Sequence, residues 1–174
     1  MLNNPIYITA QIIGFIPMII AFFTFLFNDR KKIIFSKAIS DLLWAVHFFM
    51  LGEPSGGAIN TVNVARNLVF SQKGNKKWAS SAYIPVFFCI VSAVCTILTQ
   101  DSIKGILPLV GSCLAIIGFW CTDPHNVRKF NLPGVTLWLI YGILTLSISS
   151  IISNTLSIIS IIITEIKYRK KSKA

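Results

Sequence analysis

Asn60, Asn63 and Asn67 form the sharpest candidate site in this 174-residue chain. At i, i+3 and i+7 they share one face of a helix. The sequence around them is apolar, and an unsatisfied polar group in hydrocarbon costs several kcal/mol. The three amides must therefore face protein or water. Interhelical hydrogen bonding would use them as structural ties. A solute cavity would use them as a polar wall, because an amide offers both donors and an acceptor to hydroxyl-rich or zwitterionic molecules. Asn154 joins the set, since Asn60-Thr61 recurs as Asn154-Thr155. Trp44 and Trp138 lie inside apolar segments, away from an interfacial belt. As a pair they could sandwich a flat or sugar-like ligand, or simply pack against neighbouring helices.

Asp41 and His47 also fall within an apolar segment, where ionisable groups normally face a partner or a cavity. Lys37 precedes Asp41 by one turn, so an ion pair is the plain account of both. His47 is a candidate for proton transfer or for a structural hydrogen bond. Catalytic constellations are missing from the sequence: no nucleophile elbow, no H-E-x-x-H, no phosphate loop and no carboxylate cluster for a metal. Cys89, Cys95, Cys113 and Cys121 lie in or at the end of apolar runs without the spacing of a zinc or disulfide framework. Neither an enzyme nor a cofactor or metal site is expected.

The elements that position these residues are membrane spans. A hydrophobic fraction of 54% with 13% charged residues and a mean hydropathy of +0.71 excludes an ordinary soluble domain. A net charge of +10 would suit nucleic acid, but the basic residues sit in short clusters between apolar runs, which points to orientation in a bilayer. A first span with no basic segment before it and no small-residue cleavage site argues against a removed signal peptide. Seven spans are expected, at about 7–27, 33–51, 58–70, 79–98, 103–120, 132–146 and 151–168. Alternating sides, they gather 15 of the 16 basic residues on one face, leaving only Lys104 opposite. The positive-inside rule then places the amino terminus outside and the carboxyl terminus in the cytoplasm.

The chain also repeats itself. Gly14–Phe23 (GFIPMIIAFF) matches Gly111–Trp120 (GSCLAIIGFW) at an offset of 97. At an offset of 94, Trp44 falls on Trp138, His47 on Tyr141 and Asn60-Thr61-Val62 on Asn154-Thr155-Leu156. Three spans, one linker span and three more leave the two units in the same orientation, an arrangement known in transporters with a site between the repeats.

The run HFFMLG from His47, followed by GGAINTVNVARNL from Gly56, resembles the YgjV-like bacterial inner-membrane proteins, over Gln11 to about Lys167. That family resembles distant members of the SWEET and PQ-loop group, whose fold is two parallel triple-helix bundles joined by a linker helix and whose members move sugars or amino acids. The resemblance implies a site lined by Asn60, Asn154 and Trp138, with Trp44 from the second span. It also implies hinge prolines, for which Pro17 and Pro133 fill two of four places. Pro108 sits at the start of its span, the second span has none, and the Pro-Gln dipeptide is missing. The expected fold is thus an all-α membrane protein of seven transmembrane helices, built as two parallel three-helix bundles (1–71 and 103–174) with a linker helix in 72–102. The expected function is an inner-membrane uniporter or proton-linked carrier of a small polar solute such as a sugar or amino acid, bound by Asn60, Asn63, Asn154, Trp44 and Trp138. The alternative is a non-transporting scaffold or regulator that binds a partner through its basic cytoplasmic face. Expected partners are the solute and the lipid bilayer, with homo-oligomers allowed and nucleic acid excluded.

Overall fold

The computed structural model describes residues 5–99 and 102–172, so the last two residues of the basic tail lie outside the described residues. The described residues form seven α-helices and no strand: α1 Pro5–Thr24, α2 Arg30–Met50, α3 Pro54–Ser71, α4 Tyr83–Thr99, α5 Ile106–Trp120, α6 Pro124–Leu144 and α7 Ile148–Ser172. Two short 3-10 turns, Trp78–Ser80 and Ile103–Gly105, lead into α4 and α5.

Local chemistry sets the ends. Asp29 caps α2 by accepting the Lys31 amide at 2.8 Å, and Asp123 caps α6 by accepting the amides of His125 and Asn126. Proline occupies the first turn of α3 and of α6, where a missing N–H costs nothing. This cap starts α6 eight residues before the apolar run at Leu132 suggested, because the amphipathic first two turns are too polar for hydropathy to register.

The two sequence units fold alike. Asp29 and Asp123 are themselves 94 apart, and so are the turns that follow α2 and α6. Leu51 and Thr145 close on the carbonyls of His47 and Tyr141; Glu53 and Ser147 reach back to Phe48 and Gly142. Both turns use a left-handed residue, Gly52 at φ 73° and Leu146 at φ 53°. Glycine adopts this at no steric cost, whereas leucine is strained there by about 1–2 kcal/mol.

Packing runs α1–α2–α3 and α5–α6–α7, with the ring closed by α7 on α1 and by α5 on α3; α4 packs on α3 and α5 at the second seam. Replacing α1, α2 and α3 by α5, α6 and α7 leaves this adjacency unchanged. Contacts at the helix ends fix direction. Arg30, Phe70 and Phe119 meet at one end. Glu53, Thr99, Lys104 and Tyr141 gather at the other. Successive helices therefore alternate in direction, and α1 runs parallel to α5. Backbones come close where glycine allows: a Cβ on Gly134 would stand 2.8 Å from the Gly111 carbonyl oxygen.

The burial pattern is inverted relative to a soluble protein. Asn60, Asn63, Arg66, Asn67, Asp41 and several serines of α7 are buried, while Ile97, Leu98 and Ile103 are largely exposed. Such a surface belongs in lipid. By length and apolarity α1, α2, the segment Ile103–Trp120 and the segment Ile148–Tyr168 can each cross a membrane, and α4 is a shorter apolar helix. The polar α3 and α6 run between the same two ends, with their polar residues turned inward.

Candidate functional site

A cavity of about 50 Å³ lies on the bundle axis between the two three-helix units. That is room for about three to five waters, taking roughly 10–15 Å³ for each. From α2 come Lys37, Trp44 and Phe48, and from α3 Asn60, Asn63 and Arg66. Facing them are Asn131 and Trp138 of α6, and Ser150, Ser153, Asn154 and Ser157 of α7. All five residues expected to bind solute thus border one space.

Their geometry differs from the expectation in one respect. The two tryptophans do not stand open for a ligand between their faces: the Phe48 ring lies 5.9 Å from Trp44 and 5.8 Å from Trp138, filling the gap. Phe48 follows His47 directly, a position at which the second unit carries Gly142, so the repeat gave no sign of it. Asn60 and Asn154 behave as a matched pair. Each donates its Nδ2 to the carbonyl four residues earlier, Gly56 and Ser150, both at 2.8 Å. Each amide is pinned to its own helix while bordering the cavity.

Asn63 donates Nδ2 to Ser112 Oγ at 3.1 Å, and its Oδ1 has no partner. Beside it a charged chain crosses from α2 to α3. Lys37 pairs with Asp41 Oδ1, as the spacing suggested. Asp41 Oδ2 accepts from Asn67 Nδ2 at 2.8 Å, and Asn67 Oδ1 accepts from Arg66 Nε and Nη2 at 3.1 and 2.9 Å. The Arg66 guanidinium is 1% exposed, lies 5.1 Å from the Phe119 ring centroid and stands 3.9 Å from Asp41. Its Nη1 has no partner.

Asp41 and His47 are not on the cavity wall. Asp41 lies behind Lys37 as an anchor. His47 is a strut between units: Nδ1 donates to the Ala10 carbonyl and Nε2 accepts from Ser147 Oγ, both at 2.7 Å, the tautomer following from the carbonyl's need for a donor. Pro17 and Pro133 lie inside α1 and α6. The Pro17 carbonyl accepts from Ser40 Oγ at 3.2 Å, which ties this turn of α1 to α2.

Sequence reasoning missed several wall residues. Ser150, Ser153 and Ser157 recur at helical spacing in α7, and that periodicity was the available signal. Asn131 occupies the position of Lys37 in the second unit. Arg66 and Arg128, two of the 15 basic residues assigned to one face, are both buried in the bundle. Arg128 pairs with Glu165 at 2.8 Å, joining α6 to α7.

Both ends of the axis are tied across the units. Glu53 pairs with Lys104 at 2.6 Å and accepts from the Tyr141 hydroxyl at 3.3 Å. At the other end Arg30 donates to the carbonyls of Cys121 and Phe119 at 2.7 and 2.8 Å. Lys73 donates to Trp120 and lies 3.8 Å from its ring centroid. Cations on the terminal carbonyls of a helix are favourably placed. Burial, and then the neighbouring Arg30 charge, hold the Lys73 amine below its usual pKa.

A multi-pass helical membrane protein with a buried polar cavity between two like units is the class these features define. Residues 8–172 match the family Imp-YgjV, described as a bacterial inner membrane protein, and the chain belongs to it. It is 22% identical over 136 residues to the inner membrane protein YgjV of Escherichia coli (strain K12), covering 78% of this chain and 71% of that one. No solved structure matches it.

Proposed function

We propose that this inner-membrane protein is a carrier of a small polar solute, a uniporter or a proton-linked carrier, rather than an enzyme. The supporting observation is the axial cavity, walled by Asn60, Asn63, Asn154, Lys37 and the α7 serines, with the two units tied together at both ends. A polar space of this kind is expensive inside an apolar bundle unless something polar occupies it. A scaffold acting through its basic face would need none, which favours the carrier over that alternative. With the end that holds Arg30, Lys73 and Arg128 in the cytoplasm, the Glu53–Lys104 tie closes the outer side and the Arg30–Cys121 tie closes the inner side. Release of one tie at a time gives alternating access.

The test is uptake by proteoliposomes of labelled sugars, polyols, amino acids and hydroxy acids, with Asn154→Ala alongside. A carrier accumulates at least one solute above empty liposomes, and the variant takes up less of it. Uptake of none by protein that remains folded would remove the carrier reading.

A further inference from the structure

The cavity's unpaired groups define a narrower ligand than a polar solute in general. Two cations border it, Lys37 and Arg66, and the one carboxylate beside them, Asp41, lies behind the wall. Both Asp41 oxygens are already engaged, by Lys37 and by Asn67. The balance facing the cavity is therefore positive. Within this wall two buried atoms lack partners: Arg66 Nη1, a charged donor, and Asn63 Oδ1, a neutral acceptor. Leaving a buried hydrogen-bonding group unmade is costly, and more so for a charged one. Their orientation is fixed by other contacts. Asn67 holds Nε and Nη2 of Arg66 while Phe119 supports its plane, and Ser112 holds Nδ2 of Asn63.

We propose that the cavity binds a compact organic carboxylate that carries a hydroxyl or amino donor, with the carboxylate on Arg66 and Lys37 and the donor on Asn63. A buried, unpaired guanidinium N–H on a residue of the cavity wall is suited to a carboxylate oxygen. Asn63 and Arg66 are three residues apart on α3, so their Cβ atoms are about 5–6 Å apart. Two groups on neighbouring carbons, each with a hydrogen bond, fit that separation. Size agrees: room for about four waters admits a solute of about four to six non-hydrogen atoms. A hexose exceeds it.

This inference rests on the carrier reading only in using the same cavity, so its test is of binding. Thermal unfolding of the detergent-purified full-length protein is followed at constant ionic strength with glycolate, acetate, ethylene glycol or chloride. Glycolate should raise Tm saturably and acetate less so, while ethylene glycol and chloride leave it unchanged. Lys37→Gln should weaken glycolate binding about tenfold, having lost one charged contact. Asn63→Ala should abolish the preference for glycolate over acetate. An equal shift from ethylene glycol or chloride, or none from either carboxylate, would overturn the proposal. Saturable glycolate binding without uptake in proteoliposomes would instead remove the carrier reading and leave this one standing.

Discussion

Asn60 and Asn154 can be replaced at little structural cost, because each spends its amide nitrogen on its own helix rather than on a neighbour. Asn60 makes one such bond and Asn154 two, both to Ser150, and removing each should lower stability by about 0.5–1.5 kcal/mol. Asn60→Ala or Asn154→Ala should therefore reduce uptake clearly while the folded yield stays near wild type. Unchanged uptake with a lowered Tm would assign both residues to helix tying. Asp41 should behave in the opposite way. It is buried and bound to Lys37 and Asn67, with Arg66 nearby. Asp41→Ala leaves buried cations without compensation and should cost about 3–5 kcal/mol, read as loss of folded yield or a large fall in Tm. Much of this site was legible in the sequence, because polar residues inside apolar spans must face inward and the repeat selected Asn60 with Asn154. Phe48 between the tryptophans was not legible. Which ring fills a gap depends on side-chain packing, and the second unit carries glycine there.

At the scale of elements, the paired turns make Leu146 the exception. Its carbonyl accepts from the Tyr7 hydroxyl at 2.9 Å, a bond that any residue would keep, and its side chain is 58% exposed. Leu146→Gly should relieve the left-handed strain and raise stability by up to about 1–2 kcal/mol, measured as a higher Tm in detergent. Gly134→Ala should do the reverse, by about 1–3 kcal/mol, since its new Cβ would meet backbone oxygen rather than a movable side chain. Helix existence and order were readable from apolar runs. The start of α6 was not, because Asp123 and Pro124 initiate a helix whose first turns are polar. Polar burial explains why α3 is not among the helices apolar enough to span by hydropathy and still runs the length of the bundle. Its Asn and Arg side chains are buried in the bundle instead of facing lipid.

For the whole molecule, a reporter fused at Lys76 or after Lys173 should report cytoplasm and one at Gly56 the outside, as the basic asymmetry requires. A cytoplasmic signal at Gly56 would invert the assignment of inner and outer ties. The ties themselves can be separated in a cysteine-free background carrying Asn60→Cys. Glu53→Gln should speed its labelling by an impermeant thiol reagent added outside, and Arg30→Gln should speed labelling from the inside only. Equal effects from both sides would show that neither tie governs access. One asymmetry remains within the duplicated architecture. Lys37, Asp41 and Arg66 all belong to the first unit, and the positions 94 residues on are Asn131, Val135 and Ser160. Along the cavity wall the first unit thus presents cations, whereas the second presents the amides of Asn131 and Asn154 and the hydroxyls of Ser150, Ser153 and Ser157. On the carrier reading proposed above, an anion held by Lys37 and Arg66 would stay berthed on the first unit as its passenger when the units rock past each other, while the second would slide over a face that grips it weakly. The two halves of a near-symmetric molecule would thereby divide the work of holding and of letting go.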